Sequence, residues 1–240
     1  MRERPQPFAA FAFMALAVIA TATLAADKRE SRPVGAFSGI ALAVPAKLEI
    51  VQGDTESLTL EGPEDVLADI ETEVRSDGVL AIRKRTRGSR SLRADDVRIV
   101  ANMRRVESLA IAGLGDIHAK TVRSPKLALV VSGSGKIRLP AVDADEANVK
   151  INGSGDVRIA GRAANLASSI AGSGDLKAER LETRKAAVHI AGAGDAALWV
   201  RDSLEVKIAG AGDVRYYGDP SIEKRIAGSG SVKRMGLAPS

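Results

Sequence analysis

The sequence predicts an all-β fold, a parallel β-helix (solenoid) whose coils are about 18–20 residues long and turn at Gly-x-Gly-Asp corners. Three observations predict it. First, a short phrase recurs seven times: Gly113-Leu114-Gly115-Asp116, Gly133-Ser134-Gly135-Lys136, Gly153-Ser154-Gly155-Asp156, Gly172-Ser173-Gly174-Asp175, Gly192-Ala193-Gly194-Asp195, Gly210-Ala211-Gly212-Asp213 and Gly228-Ser229-Gly230-Ser231. Successive first glycines lie 20, 20, 19, 20, 18 and 18 residues apart. A nearly fixed period of this length marks stacked units, each too small to bury its own apolar face. Second, both flanks of the phrase alternate with period two, as strands with one buried face do. Third, beyond Phe8, Phe11 and Phe13 near the N-terminus, the aromatic residues are only Phe37, Trp199, Tyr216 and Tyr217. A narrow coil interior has room for Val and Ile and little for rings.

The flanks give the inward columns. Before the glycines stand Leu109/Ile111, Leu129/Val131, Val149/Ile151, Ser168/Ile170, Val188/Ile190, Val206/Ile208 and Lys224/Ile226. After them stand Ile117/Ala119, Ile137/Leu139, Val157/Ile159, Leu176/Ala178, Ala196/Leu198, Val214/Tyr216 and Val232/Arg234. Each repeat therefore reads as strand, glycine corner, strand, loop. Both glycines of a corner are free to take positive φ without a Cβ penalty. The inward pattern fails at Lys224 and Arg234, as expected of a terminal cap. A β-propeller repeats at about 40 residues or more and fits poorly. Antiparallel hairpins tipped by Gly-x-Gly turns also satisfy the alternation, but repetition of whole units in one register favours parallel coils.

In chain order, residues 1–25 have the pattern of an export signal. Arg2 and Arg4 precede an apolar run from Phe8 to Leu24, which ends in small residues before Asp27. An uncleaved membrane anchor is the alternative, because the run is long for a signal and just short of a full span. Residues 26–34 read as a disordered polar start, and 35–235 as one domain. Its irregular N-terminal part covers 35–103, seven regular repeats cover 104–235, and 236–240 form a tail. Within 35–103 the alternation of Ile40, Leu42, Val44, then Leu48 and Ile50, then Leu58 and Leu60 predicts strands. Gly62-Pro63-Glu64-Asp65 starts a turn or one helical turn. Ile70, Thr72 and Val74 alternate again, Ser76-Asp77-Gly78 signals a hairpin into Val79–Ile82, and Val97, Ile99 and Ala101 make one more strand.

The whole pattern resembles a known bacterial family. Phe37-Ser38-Gly39-Ile40, the Gln52-Gly53 turn, Gly78-Val79-Leu80-Ala81-Ile82 and the repeated Ile-x-Gly-Ser-Gly-Asp-Val units look like the family called putative auto-transporter adhesin, head GIN domain, over roughly residues 35–235. The resemblance implies an exported β-helical protein, with adhesion suggested by fold analogy. The chain departs from the pattern at Lys136 and Ser231, where the corner Asp is replaced.

Several constellations are candidates for function. The Asp column (Asp116, Asp156, Asp175, Asp195 and Asp213) would stack at about 4.8 Å in a β-helix. That repulsion is offset either by a bound cation such as Ca²⁺ or by each Asp capping the amides of its own corner. Two residues further on stand His118, Arg138, Arg158, Lys177, Ala197, Arg215 and Lys233, a basic column beside the acidic one. Asp195 alone among the Asp-bearing repeats lacks that neighbour, since Ala197 takes its place. The basic segment Arg83, Lys84, Arg85, Arg87, Arg90 and Arg93 suits anionic headgroups or acidic polysaccharide, or is a solvated loop. Trp199 and Tyr217 occupy the same place in adjacent coils, where they make a small ligand platform or cover the end of a coil.

Other chemistries find little support. The chain has no Cys, and His118 and His189 lie at outward positions without a Ser/Asp companion in motif spacing. No Gly-x-Gly-x-x-Gly opens a helix and no Gly-Lys-Ser/Thr follows, which argues against nucleotide binding. The net charge of +5 on a mixed surface is weak evidence for any acidic partner. Nucleic acid is disfavoured because no aromatic residue is interleaved in the basic segment of a chain read as exported. The expectation is an exported, non-catalytic module of the periplasm, cell envelope or cell surface, without a cofactor and with a polysaccharide or a protein as ligand. Its rivals are a carbohydrate-active β-helix enzyme and a calcium-stabilised solenoid.

Overall fold

The structure, a computed structural model, describes residues 27–85 and 96–239. Its first strands are β1 (Lys28–Arg32), β2 (Gly39–Ala43), β3 (Lys47–Gln52) and β4 (Ser57–Gly62), followed by the short helix α1 (Glu64–Ala68). Next come β5 (Ile70–Val74), β6 (Val79–Lys84), β7 (Arg98–Met103), β8 (Ser108–Gly113) and β9 (Asp116–Ala119). Long strands then run almost without a break: β10 (Val122–Gly133), β11 (Lys136–Gly153), β12 (Asp156–Gly172), β13 (Asp175–Gly192) and β14 (Ala196–Gly210). The last are β15 (Asp213–Tyr217), β16 (Ser221–Gly228) and β17 (Ser231–Gly236).

The coils pair in parallel and in identical register, so the solenoid stands and the antiparallel hairpins do not. Leu129 lies beside Leu109 and Val149, and Val149 beside Ser168, which lies beside Val188 and so on to Val206 and Lys224. These inward columns form one continuous apolar core. A third paired run replaces the expected loop: Val122–Ser124 lies beside Val142–Ala144, and Val142 beside Gly161. Its inward residues are Val142, Ala163 and Leu181, each buried. Pairing this stretch satisfies backbone groups that a loop in contact with the core would leave without partners.

The two glycines of each corner serve different needs. Only the first of each pair has positive φ, from 100° at Gly113 to 138° at Gly210. The second is required by close approach. A Cβ on Gly174 would stand 2.3 Å from the Gly155 carbonyl oxygen and 2.5 Å from Ile151 Cγ2. The expectation that both glycines supply positive φ therefore holds for the first position only.

The N-terminal part begins the same stack and then closes it. β2 lies in parallel between β6 and β8, and β3 between β7 and β9. β4 runs antiparallel to β7, β5 antiparallel to β6, and β1 antiparallel to β4. The start expected to be disordered is thus a paired strand from Lys28 to Arg32. Its sequence carries no apolar pattern because backbone pairing to β4, rather than side-chain burial, holds it. Val66 and Leu67 of α1 are buried against this end of the core.

Candidate binding surface

The Gly-x-Gly corner brings the Asp positions into one line. In register, Lys47 lies beside Asp116, Asp116 beside Lys136, Lys136 beside Asp156, and Asp156 beside Asp175. Charge thus alternates along the first half of the column, with Lys47 a member that repeat spacing did not reveal. In the second half the carboxylates are stitched to the following coil. Asp175 Oδ1 accepts from the Asp195 amide at 3.4 Å, Asp195 Oδ1 from the Asp213 amide at 3.0 Å, and Asp213 Oδ1 from the Ser231 amide at 2.9 Å. These three Asp side chains therefore cap the next corner rather than their own. Among the described residues no group of three or more His, Cys, Asp or Glu side chains gathers to hold a metal ion.

The basic column also pairs across coils. Arg138 reaches Asp116 at 3.9 Å, Arg215 reaches Asp195 at 2.8 Å, and Lys177 binds Asp175 of its own coil at 3.6 Å. Asp195, expected to lack a counter-charge because of Ala197, takes its cation from the next coil. Same-coil spacing could not show this, since a coil rise of about 4.8 Å is within reach of an Arg side chain.

Of the basic segment, Arg83, Lys84 and Arg85 fall among the described residues, while Arg87, Arg90 and Arg93 lie outside them. Arg83 binds Glu71 and Glu73, each at 3.2 Å, and Arg85 binds Glu71 at 3.2 Å. Hydrogen bonds from Arg83 and then Arg85 hold the Glu71 carboxyl below its ordinary range. The described part of the segment is thus tied to β5. Trp199 and Tyr217 do stand directly opposite one another on β14 and β15, both half-buried, while Tyr216 points inward.

A further corner was missed in the repeat pattern. Coil-to-coil register breaks between Leu139 and Val142, between Arg158 and Ala160, and between Ala178 and Glu182. Extra residues at these breaks absorb the unequal coil lengths. Gly161 (φ 116°) and Gly218 (φ 105°) turn here, with the carbonyls of Val142 and Val200 filling the space of a Cβ. Both stand eight residues after their repeat's first glycine, which was the available signal. The breaks open a groove of about 500 Å³, lined by Arg138, Pro140, Arg158, Lys177, Glu179 and Arg180 with His118 at its edge.

Residues 36–220 match the family described as putative auto-transporter adhesin, head GIN domain. The chain belongs to this family. The head GIN fold is shared with a crystal structure of a putative adhesin from Bacteroides fragilis NCTC 9343, at a TM-score of 0.82 and 22% identity, covering 87% of this chain and 97% of that one. A putative lipid binding protein from Parabacteroides distasonis ATCC 8503 aligns at a TM-score of 0.72 and 23% identity, covering 88% and 97%. A putative adhesin from Parabacteroides merdae ATCC 43184 aligns at 0.68 and 20%, covering 88% and 96%. No curated protein matches the chain. At these identities the neighbours establish the fold alone.

Proposed function

We propose that this head GIN chain is an exported, non-catalytic binding module of the bacterial envelope or cell surface, adhesin-like in the sense that its outer wall engages an extended ligand. The observation that carries this reading is the register that the strands flanking the Gly-x-Gly corners keep from coil to coil. Outward side chains repeat at about 4.8 Å along one rigid axis, a geometry suited to a ligand that is itself extended and repetitive. The leader at residues 1–25 supports export, and the family's adhesin description supports a surface role.

Fractionation of cells expressing the full chain tests the first half of the reading, with the processed protein expected in the periplasm or on the surface. Binding of the purified protein to its own envelope fraction tests the second, with saturable retention expected. Cytoplasmic retention of the unprocessed chain, absence of envelope binding, or turnover of an envelope polysaccharide would each reject it.

A further inference from the structure

We propose that the groove at the third corner is a binding site for an acidic polysaccharide. This deepens the binding-module reading and rests on it. Around this groove the cations are mostly neutralised: Arg138 by Asp116, Lys177 by Asp175, and nearby Arg162 by Asp143 at 2.7 Å. Arg158 and Arg180 are different. Neither has a carboxylate or hydrogen-bond partner among the described residues, yet both line the same groove. Two guanidinium forks without partners in one concavity offer the bidentate geometry that carboxylate, sulfate or phosphate accepts.

Glu179 narrows the choice of ligand. It is an extra residue at the register break, opposed by no residue of either neighbouring coil, and a bulge of this kind re-aims a side chain. Its Oε2 is shielded from solvent and has no hydrogen-bond partner. A shielded carboxylate oxygen calls for a donor. A ligand that presents only anionic oxygens satisfies the two arginines but repels Glu179. A chain of acidic sugars brings both groups, an anion for Arg158 and Arg180 and a hydroxyl that donates to Glu179.

The lining also argues against a membrane surface. Among the described residues the large exposed apolar side chains are Val51, Leu114, Ile222, Ile226, Met235 and Leu237, and none of them lines this groove. Anchoring at an interface needs apolar insertion beside the basic residues. The groove also crosses successive coils, and Arg158 and Arg180 lie on adjacent ones, so an extended chain laid along it meets both.

The test measures binding of the purified protein to polygalacturonate, neutral dextran, inorganic polyphosphate and vesicles of phosphatidylglycerol. Polygalacturonate is expected to bind and dextran not. Arg158→Ala with Arg180→Ala should weaken polygalacturonate binding roughly tenfold or more. Lys150→Ala with Lys207→Ala, on another wall, should leave it unchanged. Glu179→Ala gives the distinguishing sign, because it should weaken polygalacturonate binding and strengthen that of polyphosphate. Equal loss from both double variants, a Glu179→Ala gain on both polymers, or preference for the vesicles would overturn the assignment. If the Arg158/Arg180 variant still binds the envelope fraction as the parent does, this groove is rejected and the module reading stands. If the parent itself does not bind that fraction, the module reading falls first.

Discussion

The two ends of the solenoid solve one problem by opposite means. At the N-terminal end the core is covered by protein: α1 lays Val66 and Leu67 over it, and β4, β5 and β1 add antiparallel strands beyond the last parallel ones. At the C-terminal end no described element lies over the core. All eight residues of β16 are exposed, with Ile222 at 39% and Ile226 at 40%, whereas Ile208 one coil earlier is at 2%. Protection there comes from sequence. Lys224 occupies the inward column below Val206, and Arg234 the one below Tyr216. Inward charge on an open strand edge makes growth by another copy costly, because pairing would bury it. One end is sealed by a plug, the other by a penalty on stacking.

The strongest way to break this comparison is to make the same corner substitution in the middle and at the open end. Gly174→Val drives a side chain into the Gly155 carbonyl and Ile151, with paired coils on both sides, and should cost about 3 kcal/mol or more. Gly230→Val meets the Gly212 carbonyl at a similar 2.3 Å, but the last coil can peel away without disturbing its neighbours. Its cost should be well below that of Gly174→Val in urea denaturation. Equal losses would mean that the last coil is held as firmly as an interior one.

Next in size is the plug. Leu67→Ala should destabilise by roughly 2–4 kcal/mol, since Leu67 is 1% exposed and its loss opens a cavity against the core. Ile222→Ala at the other end removes a half-open side chain and should cost under about 1 kcal/mol. Similar costs would show that α1 decorates the end rather than sealing it. At the open end, Lys224→Val with Arg234→Val should alter association more than stability. The variant is expected to form dimers or larger species in sedimentation, and a monomer up to high concentration would remove the role given to these charges.

Much of this was legible in the sequence, because a solenoid repeats its own physics. Once Ile111, Val131 and Ile151 are placed inward, register fixes the neighbours of every other position, and the fold and the Asp line follow. What stayed hidden depends on contacts between coils. The counter-charge of Asp195 comes from Arg215, and the need for the second glycine comes from the carbonyl of the coil before it. The third run escaped because its inward residues are mixed: Val142 and Leu181 are apolar, but Ser124 and Thr183 share the run and Gly161 has no side chain. Without clean alternation it reads as a loop. The groove with Arg158, Glu179 and Arg180 sits at the edge of that same run, so it went unseen with it.

The smallest expected effect tests whether burial alone separates the middle from the end. Ser168 and Lys224 stand in one inward column, both polar among Leu129, Val149, Val188 and Val206. Lys224 is exposed and keeps its water, while Ser168 is 5% exposed and its hydroxyl has no hydrogen-bond partner. A buried hydroxyl without a partner costs the desolvation of that group and returns nothing. Ser168→Val restores the residue found in the coils on either side, so it should raise stability by about 1 kcal/mol. Thr183→Val is the contrast, because Thr183 Oγ1 donates to the Trp199 carbonyl at 2.8 Å and its removal leaves that acceptor unfilled. It should lower stability by about 1 kcal/mol. Denaturation midpoints that move in these opposite directions would show that a polar residue inside the coil is tolerated only with a partner. A fall for Ser168→Val would instead mean that the core between Val149 and Val188 is too tightly packed to admit the larger side chain.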